Sequence, residues 1–118
     1  MRPNPVHVLL IDLADDEAAI AQYEAWHASG ALPPAIGASI RAADVRAMDI
    51  YRSGNRLVML METGPDYDPA AKAAADVADP AVQAWEAQMD GVQRPLPWSV
   101  PGAKWTAATR IFSLDEQP

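Results

Sequence analysis

Cysteine is absent from this chain of 118 residues, which excludes a disulfide framework, a thiolate nucleophile and a cysteine-based zinc site. Histidine is scarce: His7 and His27 are far apart in sequence and form a weak ligand set for a metal. The six glycines form no phosphate-binding array, and no Gly-x-Ser-x-Gly motif occurs. We therefore expect no metal and no cofactor, and either cofactor-free acid–base chemistry or simple ligand binding.

Basic residues are also few, with nine Lys and Arg against sixteen Asp and Glu, a formal charge of −7. The scattered positive charges argue against nucleic acid as a partner, because phosphate binding draws on clustered Lys and Arg. No apolar run approaches the ~20 residues of a membrane span, and the N-terminus lacks the layout of a signal peptide. We expect a cytoplasmic protein with no membrane partner, folded as a single domain over residues 1–118.

Eleven prolines divide the chain into segments whose apolar patterns predict secondary structure. Branched apolar residues predict buried strands, and acidic residues or proline at a segment start predict helices. Asp79 followed by Pro80 is typical of an N-cap and first helical residue. The predicted elements, in order, are a strand at 6–13, helices at 15–29 and 35–43, strands at 45–52 and 56–63, helices at 70–78 and from 80, an extended proline-rich arm at 92–104, and a strand at 105–114.

The order of these elements predicts an α+β fold of the ferredoxin-like βαββαβ type. Such a protomer has an antiparallel sheet with helices on one face. Its other face stays apolar, so we expect a homodimer that pairs the two sheet faces.

Tyr23 and His27 are the best candidates for chemistry. Four residues separate them, so on a helix the phenol and the imidazole share one face, about 5–6 Å apart at Cβ. The phenol could hold a polar ligand, and an imidazole exchanges protons near neutral pH. The same spacing also fits two side chains that only pack against the sheet, and this alternative stays open.

Trp85 and Glu86 form a second candidate pair, on the helix that begins near Pro80. A flat aromatic face suits the C–H face of a sugar, and the carboxylate could bind hydroxyl groups or take a proton. The alternative is a core tryptophan beside a solvated glutamate. Asp49 interrupts an apolar strand, so it lies on the solvent side or in a site. Trp98 and Trp105 flank the arm and are interpreted as packing anchors.

Taken together, Tyr23-x-x-x-His27, the stretch 49–62 and the stretch 79–86 resemble the L-rhamnose mutarotase family, with similarity from about residue 6 to 114. The resemblance implies a dimeric α+β barrel of ferredoxin-like protomers. It also implies an isomerase that interconverts the α and β anomers of a 6-deoxy hexose without a cofactor. By the same resemblance His27 is the proton donor, and Tyr23 and Trp85 contact the sugar.

Two positions depart from the family pattern. Met48 occupies the place of a second sugar-contacting tyrosine, and Glu86 replaces the second of two paired tryptophans. The arm at 92–104 also looks longer than in the rhamnose enzymes. These departures fall at sugar-contacting positions, so we expect L-fucose ahead of L-rhamnose as the substrate. Glu86, Asp49 and water are the candidate bases.

Two other functions remain open from the sequence. One is a cofactor-independent monooxygenase on the same barrel, which also uses a lone histidine and a tryptophan. The other is a non-enzymatic module that binds a small ligand. The sequence does not identify the sugar, the base, or any contribution of a partner subunit to the site.

Overall fold

An antiparallel sheet with helices on one face forms the body of the protein in a computed structural model, which describes residues 4–118. Within that range the strands are Val6–Leu13 (β1), Val45–Ser53 (β2), Arg56–Thr63 (β3), Gln93–Arg94 (β4) and Thr106–Ala107 (β5). The helices are Glu17–Trp26 (α1), Pro34–Ala42 (α2), Pro69–Ala78 (α3) and Pro80–Asp90 (α4), and a 3-10 turn covers Leu114–Glu116.

The strand order β2-β3-β1-β4, with β5 also paired to β1, is that of a ferredoxin-like sheet. The strand β1 pairs with β3 from Val6–Glu62 to Asp12–Arg56, and β3 pairs on its other side with β2. The α+β fold and the interior place of the apolar strand 56–63 are thus confirmed.

Side chains at the helix starts explain where these helices begin. The Asp16 carboxylate accepts a hydrogen bond from the backbone N–H of Ala18 (3.1 Å), and Asp68 accepts in the same way from Ala70. Asp79 accepts from Ala81 (3.0 Å) with Pro80 next to it, so the predicted N-cap is confirmed. Each cap binds a backbone donor that has no partner within its own helix.

The two faces of the sheet differ in what covers them. Ile11, Leu13 and Leu57 are buried against Tyr23 of α1 and Met89 of α4, which form the core under the helices. Because side chains alternate along a strand, the intervening residues face the opposite side. These are mostly apolar and half-buried, and include Val8, Leu10, Val58 and Leu60.

The last predicted strand, 105–114, is wrong over most of its length. Only Thr106–Ala107 pairs with β1, followed by one bond from the N–H of Ala108 to the Val8 carbonyl (2.8 Å). Continuing the register would place Arg110 opposite Val6, where β1 begins, so later residues have no facing strand in this chain. Ile111 and Phe112 are consequently 94% and 64% exposed.

Two other boundaries also differ from the prediction. The helix expected at 15–29 ends at Trp26, because His27 is its C-cap and Gly30 takes a positive φ of 80°. The arm at 92–104 is not wholly extended, since Gln93–Arg94 pairs with Asp12 and Leu13 as β4.

Among residues 4–118, none of the helices is long and apolar enough to cross a lipid bilayer.

Candidate active site

A cavity of about 470 Å³ lies between the helices and the sheet face that they cover. Its volume falls in the range of small-molecule sites. Six residues that the sequence suggested for the site border it: Tyr23, His27, Met48, Asp49, Trp85 and Glu86. Much of the remaining wall is apolar, including Ile36, Ile40, Ile50, Met59, Val82 and Met89.

The Tyr23 and His27 rings stack on one another at the edge of this cavity. Their centroids are 4.1 Å apart, and their planes meet at 24°. Although α1 ends at Trp26, His27 directly follows this residue and stays one helical turn from Tyr23, so the two rings remain in contact. Trp85 approaches the imidazole edge-on from α4, with centroids 5.3 Å apart.

A backbone contact determines which imidazole nitrogen is available for chemistry. His27 Nδ1 lies 2.7 Å from the carbonyl oxygen of Tyr23. Since a carbonyl oxygen only accepts hydrogen bonds, Nδ1 carries the proton of this contact. The other nitrogen, Nε2, is not engaged by this contact. The contact also sets the ring orientation, because it ties the ring to the last turn of α1.

Tyr23 has a different character, because its side chain is almost fully enclosed. It is 3% exposed, and burial raises the pKa of its phenol to about 12, although a hydrogen bond with Gln93 lowers it. A phenol with this pKa stays protonated near neutral pH, so Tyr23 is suited to hydrogen bonding and not to proton removal.

Glu86 shares its part of the cavity with a cation from the arm. Its carboxylate accepts a hydrogen bond from Lys104 Nζ, which also lies 2.6 Å from Asp90 Oδ1. Burial lowers the pKa of Lys104, but hydrogen bonds to Asp90 and Glu86 outweigh it and raise the pKa overall. Lys104 therefore remains an ammonium ion that can hold Glu86 at the cavity wall.

Asp49 is less well placed as a base than Glu86. It is among the residues that border the cavity, and it lies on β2 between Met48 and Ile50, whose side chains face the helices. Alternation directs the Asp49 side chain to the other face, where it is paired with Leu60. The two base candidates thus lie on opposite faces of the sheet.

Metal-binding clusters of three or more His, Asp or Glu side chains are not found within residues 4–118. Glu24, three residues before His27, forms an ion pair with Arg52 instead. The absence of a cofactor stays a prediction.

Comparison with known proteins agrees with this geometry. Residues 7–114 match the L-rhamnose mutarotase family. The chain belongs to the L-rhamnose mutarotase family. It is also similar to a protein named L-fucose mutarotase from Xanthomonas campestris pv. campestris, with 55% identity over 107 residues, which cover 91% of this chain and 86% of that relative. Its relatives show that this member of the family is a carbohydrate isomerase. The resemblance to the L-rhamnose mutarotase family that the sequence indicated is confirmed.

Several residues that line the cavity were not predicted from the sequence to belong to the site. Lys104 and Trp105 enter from the arm, where Trp105 was interpreted as a packing anchor only. It does pack against the core, but Trp98 is 63% exposed, with the Arg56 guanidinium 5.3 Å from its ring. Gln93 comes from β4, which was not predicted.

A polar cluster of Ser39, Lys72 and Asp76 also lines the cavity and was not anticipated from the sequence. Ser39 lies on α2, and the other two lie on α3. The i,i+4 spacing of Lys72 and Asp76 signals a helical ion pair. Nothing local in the sequence signals that this pair faces a cavity.

Proposed function

We propose that this protein interconverts the α and β anomers of L-fucose by opening and reclosing the sugar ring. Membership of the mutarotase family supports the reaction, and the relative named L-fucose mutarotase supports the sugar. The observation that carries the proposal is the His27 imidazole, held at Nδ1 by a backbone carbonyl and stacked on Tyr23 at the edge of a cavity.

The reaction requires two proton transfers. The C1–O5 bond breaks as O5 receives a proton from Nε2 of the His27 imidazolium, while a base removes the proton of the hydroxyl at C1. The open-chain aldehyde rotates about C1–C2, and the same steps in reverse close the ring on the other face. Each positioned proton transfer typically contributes about 10²–10⁴-fold.

We assign the base to Glu86 or to a water that Glu86 orients. Glu86 lines the same cavity as His27, and Lys104 holds its carboxylate from the arm side. The position of the Asp49 side chain on the other sheet face argues against that candidate.

The sugar itself would lie between the polar and the apolar parts of the cavity. We propose that the Tyr23 hydroxyl binds a sugar hydroxyl near C1 and that Trp85 stacks on the C–H face of the ring. Met48 would offer an apolar contact where the family pattern has a tyrosine. A 6-deoxy sugar suits such a wall, because its methyl group needs no hydrogen-bond partner.

We also propose that two copies of this chain associate through the sheet faces that carry no helices. The apolar side chains of β1 and β3 on that face and the exposed Ile111, Phe112 and Leu114 support this arrangement. The cytoplasmic location stays a prediction.

Saturation-transfer NMR tests the proposed reaction directly, because it measures exchange between anomer signals. We expect the wild-type protein to accelerate this exchange for L-fucose, and more weakly for L-rhamnose. His27→Asn should reduce the accelerated rate by about 10²–10⁴-fold, since it removes the proton donor.

The chain offers a matched control for this variant. His7→Asn changes the other histidine, which lies on β1 outside the cavity and contacts Thr63 Oγ1 at 3.0 Å. This control should retain the exchange rate. An undiminished rate in His27→Asn would rule out His27 as the proton carrier, and no acceleration for any sugar would contradict the mutarotase assignment.

A further inference from the structure

The cluster of Ser39, Lys72 and Asp76 contributes charge to the cavity from helices other than those that carry the proton-transfer residues. Lys72 Nζ lies 3.0 Å from Ser39 Oγ and forms an ion pair with Asp76. The cluster comes from α2 and α3, whereas His27 follows α1 and Trp85 belongs to α4. The cavity therefore holds two groups of polar side chains that come from different helices, together with many apolar side chains.

Lys72 has hydrogen-bonding capacity that these contacts do not use. An ammonium group has three N–H donors, and Ser39 and Asp76 accept two of them. The Lys72 and Asp76 side chains are only 19% and 24% exposed. A third acceptor would stabilise this half-buried ammonium group, because an N–H donor that is removed from water and has no hydrogen-bond partner costs free energy.

A pyranose held by one edge presents hydroxyls at the opposite edge. In the six-membered ring, C4 lies directly across from C1, where the proposed proton transfers occur. L-Fucose and L-rhamnose differ in configuration at C2 and at C4. A polar group on the side of the cavity opposite His27 would therefore meet the C4 hydroxyl, which is one of the two hydroxyls that distinguish these sugars.

We propose that Lys72, held by Ser39 and Asp76, binds the C4 hydroxyl of the sugar and selects its configuration. This inference rests on the proposed mutarotase function and adds a specificity-determining residue to it. The third Lys72 N–H donates to the hydroxyl oxygen, and Asp76 keeps the ammonium in place. The reaction steps at C1 and O5 do not involve this contact.

A purely structural role for the cluster predicts different behaviour. Ser39 and Lys72 also border a second groove, which includes Asp66, Asp68 and Asp79. A cluster that only joins α2 to α3 would affect the free energy of unfolding. It would leave the ranking of sugars unchanged.

The decisive experiment measures anomer exchange by Lys72→Met with L-fucose and with 4-deoxy-L-fucose. We expect KM for L-fucose to rise roughly tenfold to a hundredfold, the loss expected for a hydrogen bond to a charged group, with kcat nearly unchanged. KM for the 4-deoxy sugar should not change, because that sugar lacks the hydroxyl. Lys72→Arg, which keeps a cationic donor, should restore part of the lost affinity.

Arg41→Met is the matched control, because Arg41 is an exposed cation on α2 that does not line the cavity. It should leave both KM values unchanged. Equal KM values for Lys72→Met and the wild type, or equal rises for both sugars, would overturn the inference while leaving the proposed reaction intact. Failure of the wild type to exchange any sugar would overturn both.

Discussion

Because the Tyr23 phenol is buried, we expect the free energy of unfolding to fall at alkaline pH. Tyr23→Phe should remove this contribution to the pH dependence. Burial raises the pKa of Tyr23 from 10.0 to about 12. The folded state therefore holds the phenol proton more tightly than the unfolded state does. The corresponding stability is fully present below pH 10 and is lost as the pH rises from 10 to 12.

The size of the effect follows from this shift. Two pKa units correspond to about 2.7 kcal/mol of unfolding free energy, of which roughly 1.4 kcal/mol is lost by pH 11. Tyr23→Phe cannot ionise, so it does not show this loss. It does lose the hydrogen bond with Gln93 at every pH, a cost of about 1 kcal/mol. The wild type should thus be more stable at pH 8, and the difference should vanish or reverse by pH 11.

Urea unfolding of both proteins between pH 8 and pH 11 measures the difference. The protein concentration must be the same throughout, because self-association would add to the apparent stability. Tyr51→Phe is the control for loss of a phenol, since Tyr51 is 59% exposed on the sheet. A difference between wild type and Tyr23→Phe that stays constant over this pH range would refute the reasoning.

Two further predictions concern the fold and its assembly. Asp79→Ala removes the cap of α4 and should lower the unfolding free energy by about 1 kcal/mol in urea, whereas Asp15→Ala, at an exposed position, should have little effect. Leu60→Glu places a charge on the sheet face without helices and should convert the proposed dimer to a monomer in sedimentation equilibrium, with unchanged far-UV circular dichroism. A dimer that survives this change, or a wild type that sediments as a monomer, would contradict the assembly through this face.

Local chemistry was enough to predict most of the secondary structure. The strand at 6–13 and the strands near 45–52 and 56–63 carry branched apolar residues, and the turn between the latter two contains Gly54, whose φ is +60°. Asp79 and Pro80 specify a helix start through their own side chains. These signals act over a few residues, so the sequence carries them without knowledge of the fold.

The errors have a common origin in long-range pairing. Residues 111–114 have the apolar composition of a strand, yet the register of β5 brings them past the start of β1. The bond that makes Gln93–Arg94 a strand comes from Asp12 and Leu13, about eighty residues earlier. No local pattern reports whether a partner strand is present at a given position.

The residues of the candidate site also fall into two groups, those that the sequence predicted and those that only the structure shows. Tyr23 and His27 are one helix turn apart, so their spacing alone indicated that the two side chains share one face. The resemblance indicated possible roles for them and for Met48, Trp85 and Glu86, and these roles stay predictions. The residues that complete the cavity come from other elements: Lys104 from the arm, and Ser39 and Lys72 from α2 and α3.

The sequence by itself therefore determined the order of the main elements, the family, and the placing of the phenol and the imidazole on one helix face. Each of these depends on neighbours within a few residues or on the overall succession of the elements. Only the tertiary structure decided which charges face the cavity, that the Asp49 side chain lies on the other face of the sheet, and where the last strand stops. Those outcomes depend on sheet register and helix packing, which join residues far apart in the chain.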